Sequence, residues 1–392
     1  MKLQNVCWWC WSILLIGFFL VPESVQAIPA FARRYKISCS TCHAPIPKLK
    51  AYGDEFAGNG FIIPEEEKKR DYVSAGDDLL WLNRDFPVAV RFDAYTLFDD
   101  RGPIKDDLQI PWGLKLMSGG TLYKSIGYYF YFYLSERGEV AGIEDAYVHF
   151  NNIFDTELDV MVGQFQTSDP LMKRELRLTF EDYEIYKARI GESGTNLAYD
   201  RGVMLTYAIP QTGTDLVGLV VNGNGKKEAG EDRTFDDDKY KNFGFRLSQA
   251  LGEKISIGGY FYYGEEDRPD STHNNELIYW GPDVNVNLGI LEFTGQYLLR
   301  KDSRPYFNRK LQDIKTGGVI AELVFAPQKD RSRYYLTALY NRIDSDLDEF
   351  DYETATVSAT YLVARNLRLS AEYTRDLLSD GNRFAIGLVS AF

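Results

Sequence analysis

From Pro87 to its C-terminus the chain repeats one theme: runs of roughly eight to thirteen residues in which apolar side chains alternate with polar or small ones, each closed by a turn or a charged loop. Val88, Val90, Phe92 and Ala94 fall on one side of the first run, with Arg91, Asp93 and Tyr95 on the other. Ile126, Tyr128, Phe130, Phe132 and Leu134 form the second clear stripe. Later stripes run through Val203, Leu205 and Tyr207, through Ile255, Ile257, Gly259 and Phe261, and through Leu336, Ala338 and Tyr340. Successive side chains of a strand point to opposite faces, so this period predicts half-exposed antiparallel strands. About 16 strands are expected, an even number within the range of transmembrane barrels.

The connections add a second pattern. Short turns are expected near 118 to 122, 152 to 156, 210 to 213, 251 to 253, 287 to 289, 327 to 331 and 364 to 366. Longer charged ones are expected near 99 to 107, 136 to 142, 165 to 198, 223 to 238, 265 to 274, 302 to 314, 344 to 350 and 376 to 381, with 136 to 142 reading as out of turn. Short turns at one end and long loops at the other suit a membrane barrel better than a soluble sandwich. The last residues, Phe384 to Phe392, form an amphipathic strand closing on an aromatic residue, like the terminal strand recognised in outer-membrane barrel assembly.

Composition alone would mislead. The chain of 392 residues has a net charge of -13, and its mean hydropathy is -0.31. The acidic balance excludes nucleic acid as a partner, since phosphate binding draws on a basic surface. Polar average hydropathy is compatible with a barrel, whose apolar outside is averaged with a polar lumen. The aromatic share of 15% has a place in interfacial girdles and around a cofactor.

Residues 1–27 read as a secretory signal peptide: Lys2, an apolar core from Val6 to Val21, and Val25-Gln26-Ala27 before the expected cut. Cys7 and Cys10 leave with it, so the mature chain keeps two cysteines, in Cys39-Ser40-Thr41-Cys42-His43. C-x-x-C-H is the attachment pattern of c-type haem: two thiols bond to the porphyrin edge and the adjacent histidine ligates iron. A redox dithiol or disulfide would not need His43, one of only three histidines, and zinc needs more ligands than the segment offers. One haem c is therefore expected, with Cys39 and Cys42 as thioethers and His43 as the proximal ligand. Phe31, Tyr35, Tyr52, Phe56 and Phe61 would cover the macrocycle, and Arg33 and Arg34 would pair with propionates. A helix is expected over Lys48 to Phe56, stopped by Gly58 and Gly60. The segment from Ile28 to Pro87 holds no methionine and no second histidine, so the iron is five-coordinate or takes a ligand from the barrel.

These residues resemble outer-membrane porins with one c-type haem domain fused at the N-terminus, a family that includes bacterial iron-oxidising cytochrome-porins. The resemblance runs from Pro29-Ala30-Phe31-Ala32-Arg33 through Cys39 to His43, then Pro47-Lys48-Leu49 and Gly53-Asp54-Glu55-Phe56 to Gly60-Phe61. Beyond these residues it is architectural, although Glu144-Asp145-Ala146-Tyr147 and Val162-Gly163-Gln164-Phe165 also look like anion-selective porins. It implies electron transfer across the outer membrane, between an extracellular donor or acceptor, with Fe(II) the most natural donor, and a soluble periplasmic electron carrier. A diffusion porin with a haem plug or redox-sensor domain is the alternative it leaves. The expected organisation is a signal peptide over 1–27, a small α-helical monohaem domain over 28–80, tethered by about Asp77 to Phe86, and a β-barrel over 81–392.

Since the hydrocarbon layer is about 30 Å thick, a haem serving both sides must sit in the lumen. His149 falls on the inward set of its strand and is the first candidate for a distal ligand. Met117, Met161 and Met204 also face inward in this register. The loop from Phe165 to Ala198, with Lys173, Arg174, Glu175, Arg177, Glu181, Asp182 and Glu184, has two readings: a constriction folded into the lumen, as a loop in this place forms in porins, or a solvated outer loop. Acidic clusters Glu231-Asp232, Asp236-Asp237-Asp238, Glu265-Glu266-Asp267 and Asp344 to Asp351 fall in outer loops, where they would attract cations. His273 has no partner in sequence.

Overall fold

The computed structural model describes residues 30–63, 66, 79–81, 86–268 and 271–392. The signal-like segment and most of the expected tether lie outside them. Three short helices come first: α1 (Ala30–Tyr35), α2 (Cys39–Cys42) and α3 (Ala51–Gly58). The last begins three residues after Lys48, where Lys50 takes extended backbone, and ends at the expected Gly58.

Sixteen strands follow among the described residues, and every neighbour in sequence is a neighbour in space until β1 (Val88–Asp99) pairs with β16 (Asn382–Ala391), closing the ring. Between them run β2 (Asp106–Tyr123), β3 (Ile126–Glu136), β4 (Gly142–Phe150), β5 (Leu158–Phe165), β6 (Asp200–Ile209), β7 (Thr214–Val221), β8 (Asn242–Leu251), β9 (Ile255–Glu266), β10 (Asn275–Asn287), β11 (Leu291–Asp302), β12 (Ile314–Phe325), β13 (Tyr334–Ser345), β14 (Tyr352–Ala364) and β15 (Leu367–Asp376). Closure leaves no unpaired strand edge, the condition for a sheet in lipid.

The faces separate as the alternation requires. Thr354, Thr356, Ser358 and Thr360 of β14 are buried inside, while Val357 and Tyr361 are exposed outside. Phe243, Phe245 and Leu247 of β8 and Leu336 of β13 join this exposed apolar belt, which a lipid phase would cover. One expected turn is displaced. Strand β2 runs on through Gly119 and Gly120 to Tyr123, with a register shift between Thr121 and Tyr123, so the turn is Lys124-Ser125 rather than 118 to 122. The glycines in β2 therefore mark a close approach rather than a chain reversal. Strand alternation puts 137 to 141 at the same end as the long loops, so its place is in turn, although the lengths do not separate strictly: 151 to 157 and 326 to 333, at the opposite end, are longer than it.

The long loop after β5 folds into the lumen, the first of its two readings. The Phe180 amide donates to Glu372 at 2.6 Å, the Tyr183 hydroxyl to Glu322 at 2.9 Å and Asn341 to the Asp182 carbonyl at 2.9 Å. Arg300 of β11, fully buried, donates to the Thr195 carbonyl at 2.8 Å and the Ser193 hydroxyl at 2.7 Å while paired with Asp302 at 2.6 Å. Tyr183, Ile185, Tyr186 and Leu197 of this loop pack with wall residues such as Tyr262, Tyr279 and Leu298 in one apolar cluster inside the barrel. A loop so fastened across the lumen divides it into a half towards the long loops and a half towards the short turns.

Candidate functional site

The helical segment occupies the short-turn half of the lumen. Tyr335 of β13 donates to the Ile46 carbonyl at 2.7 Å, and Asn151, at the end of β4, donates to the Asn59 carbonyl at 2.6 Å. The Lys48 ammonium lies 2.9 Å from Glu292 and 3.5 Å from Glu322 on the far wall, and Lys50 reaches Asp330 in the β12–β13 turn at 2.5 Å. Burial would lower the Lys48 pKa, but these two carboxylates outweigh it and raise it, so the cation is firm. At Gly127 of β3 the two bodies touch backbone to backbone: a Cβ there would stand 2.4 Å from the Gly60 carbonyl oxygen.

Local chemistry shapes the segment. The Ser38 hydroxyl caps α2 by accepting from the Ser40 amide at 3.3 Å. One helical turn separates Cys39 from Cys42, so both thiols share a face. The chain then doubles back, with the Ala44 amide on the Lys48 carbonyl at 3.1 Å and the Lys50 amide on the Cys42 carbonyl at 2.8 Å. Gly53 lets α3 lie directly on this turn, where a Cβ would fall 2.2 Å from the Cys42 carbonyl oxygen. Tyr35, Cys42 and Phe56 form a small core with Phe31, Leu49 and Phe61 packed around it.

Cys39, Cys42 and His43 line one cavity of about 310 Å³ between the helices, the wall of β1 to β4, the root of the lumenal loop and the β14–β15 turn. Both thiols are free, and burial pushes each pKa up. The His43 ring places Nδ1 2.6 Å from the Pro47 carbonyl, so Nδ1 carries the proton and Nε2 keeps its lone pair. Burial lowers the His43 pKa, against the opposing pull of its backbone hydrogen bonds, which holds the ring neutral at physiological pH. Two thiols, a neutral imidazole with its second nitrogen oriented, and walls of Phe31, Phe56, Phe61 and Tyr129 are the donor set and lining that a c-type haem requires.

The other expected site residues are distributed differently. Arg33 donates to the Val88 carbonyl, and Arg34 lies against Gly120 of β2 with its guanidinium 5.5 Å from the Tyr35 ring. Neither lines the cavity. Arg365, in the β14–β15 turn, and Arg368, at the start of β15, do line it, and among the described residues neither has a carboxylate in ion-pair range. His149 is buried and inward as its register predicts, but it stands outside the cavity, bonded to Asn151 and in contact with Gly60. There it helps to hold the helical segment. Met117 is the inward methionine that lines the cavity, whereas Met161 and Met204 pack in the apolar cluster of the loop. Of the outer acidic groups, Glu266 is buried and accepts from Ser193 at 2.6 Å and the Thr195 amide at 2.8 Å, so it fastens the loop rather than facing solvent. His273 lies in an outer loop, 2.8 Å from the Arg309 side chain.

A second, larger cavity of about 800 Å³ runs beside the segment, lined by polar groups including Asp54, Asp215, Arg246, Asp283 and Glu292. It shares Leu49, Asp169, Lys173 and Leu176 with the first.

No protein-family model and no curated protein matches the chain. Solved structures do. A loop-deletion variant of OmpT, an outer-membrane protein of Vibrio cholerae, is 12% identical with a TM-score of 0.56, covering 79% of this chain and 99% of its own. The anion-selective porin of Comamonas acidovorans is 11% identical over the same shares, with a TM-score of 0.56. The outer-membrane channel DcaP of Acinetobacter baumannii is 12% identical with a TM-score of 0.56, covering 79% of this chain and 97% of its own. At these identities the likeness is one of fold: a porin-like barrel.

Proposed function

We propose that the protein is an electron-transfer protein of the outer membrane, of the fused monohaem cytochrome-porin kind, in which a porin-like barrel carries one covalently bound haem c inside its lumen. The observation that carries this reading is the convergence of Cys39, Cys42 and His43 on one cavity that Arg365 and Arg368 also line. Haem c, when bound, supplies a one-electron Fe(III)/Fe(II) couple. Cys39 and Cys42 would supply the thioether sulfurs, His43 would offer Nε2 to the iron, and Arg365 and Arg368 would meet the propionates. Phe31, Phe56 and Phe61 keep water from the macrocycle. The short-turn mouth, flanked by Arg365 and Ala391, faces a periplasmic carrier in the orientation usual for such barrels. The long-loop mouth faces an extracellular donor, with Fe(II) the natural choice for acidic outer loops.

The test uses liposomes with the protein inserted, Fe(II) outside under anaerobic conditions and a soluble cytochrome inside. The inner cytochrome is expected to become reduced with the wild-type chain and to stay oxidised with Cys39→Ala/Cys42→Ala. An inner cytochrome that stays oxidised with the haem-loaded wild type contradicts the reading. The polar cavity of about 800 Å³ favours a second reading, a solute porin with a haem-bearing plug. Planar-bilayer conductance separates the two: the loop and the helical segment together predict little ion current, and a large steady current would favour the porin.

A further inference from the structure

At the root of the lumenal loop several buried oxygens have no partner. Asp145 of β4 is 7% exposed and its Oδ1 meets no donor. Gln166 is 2% exposed with Oε1 unpartnered, and Oδ1 of Asp169 is likewise unmet. The Thr167 and Ser168 hydroxyls between them, both fully buried, are unpartnered too. Asp145, Gln166 and Asp169 all line the cavity that holds Cys39, Cys42 and His43.

The placement follows from register. Strand β5 pairs with β4 as far as Ala146 opposite Gln164, so Asp145 lies one residue beyond the last pair, where β5 ends at Phe165 and the loop begins. The chain then turns inward at once, with the Asp169 amide on the Gln166 carbonyl at 3.2 Å and the Leu171 amide on the Ser168 carbonyl at 2.8 Å. This turn leaves Gln166 and Asp169 lining the same cavity as Asp145.

The neighbouring cations are engaged elsewhere. Lys173 is drawn to Asp54 at 3.6 Å, Arg91 to Asp93 at 2.8 Å, Lys115 to Glu175 at 3.2 Å and Arg174 to Asp182 at 2.6 Å. Lys173 stands near enough to attract both carboxylates, yet neither Asp145 nor Asp169 has a cation in ion-pair range among the described residues, an arrangement that burial penalises unless the charge is met. Unmet buried polar atoms call for an explanation, and a bound ion is one.

We propose that Asp145, Gln166 and Asp169 form a site for one hard divalent cation, with carboxylate and amide oxygens as ligands and water completing the shell. Among the described residues no three Asp, Glu, His or Cys side chains converge, so the charge of the site rests on its two carboxylates. The cation enters by the larger polar cavity, which reaches Asp169. It ties the root of the loop to the barrel wall beside the thiol pair. The proposal does not depend on haem.

The test is Mn2+ uptake by the purified full-length protein after stripping with a chelator, read by loss of the free-ion electron paramagnetic resonance signal. One ion per chain above the uptake of Asp145→Asn/Asp169→Asn is expected, with affinity weakened roughly tenfold or more in the double variant. Gln166→Leu, which leaves both charges in place, is expected to weaken uptake as well and serves if the double variant fails to fold. Stripped wild-type protein that takes up no more Mn2+ than these variants overturns the site. The same titration on Cys39→Ala/Cys42→Ala is expected to match wild type, so that failure of the cation site and failure of the haem reading are read separately.

Discussion

Lys48→Met removes the charge that reaches across the lumen while keeping most of the side chain's volume. The ammonium lies 2.9 Å from Glu292 and 3.5 Å from Glu322, whose side chains are 18% and 2% exposed, with Lys48 itself at 21%. A fully exposed pair would contribute about 0 to 1 kcal/mol, and breaking a fully buried one would cost about 3 to 5 kcal/mol. Glu322 keeps its 2.9 Å bond from Tyr183 after the change, and Lys48 is partly solvated. A loss of about 2 kcal/mol in docking of the helical segment is therefore expected, or roughly thirtyfold in its docking equilibrium. Amide hydrogen exchange reads this directly where opening is fast and reversible: the α3 amides should exchange about thirtyfold faster in the variant. Glu322→Gln in the same background should then add little, because its partner is already gone. Equal α3 exchange in variant and wild type, or strictly additive effects of the two substitutions, refutes the claim that this ion pair holds the segment in the lumen.

Gly127→Ala should push the segment off the wall at the Gly60 contact, costing about 1 to 3 kcal/mol of docking, with faster exchange at the Asn59 and Gly60 amides as the check. Arg300→Met leaves buried Asp302 without its cation and frees the carbonyl of Thr195, so the lumenal loop should loosen and single-channel current should rise. Haem-free chain should alkylate slowly at Cys39 and Cys42 near pH 8 and more slowly than an exposed thiol at each pH, because burial raises both thiols. Burial alone would raise the Glu175 carboxyl, but Lys115, Arg177 and Arg174 bring it down to about 2 from 4.5. Its contribution to holding the loop is therefore complete above the unfolded value and fades as pH falls from 4.5 towards 2, which exchange of the 166–199 amides across that range would detect.

Much of the barrel could be read from alternation, because a strand that separates lipid from lumen must put its apolar residues on one face. Inward placement of Asp93, Tyr95, Asp145, His149 and Met204 followed from that register alone. The β2–β3 turn was misplaced because Gly119 and Gly120 look like turn residues, whereas their role is to let Phe31 and Arg34 approach the wall. The thiol pair and His43 were legible because their chemistry is local. Arg365 and Arg368 were not, since nothing around a turn more than three hundred residues away shows that it borders the same cavity. Arg33 and Arg34 were local candidates for the same role, yet docking of α1 turns them towards Val88 and Gly120. Alternation likewise gave the inward face of His149, and only the docked Asn59-Gly60 turn shows what its neighbour Asn151 holds.

Intact mass of the mature chain, expressed with the machinery that attaches c-type haem and measured after denaturation, tests the central claim most directly. One haem should remain covalently bound in the wild type and none in Cys39→Ala/Cys42→Ala. A mature wild-type chain that carries two unmodified thiols would contradict the account.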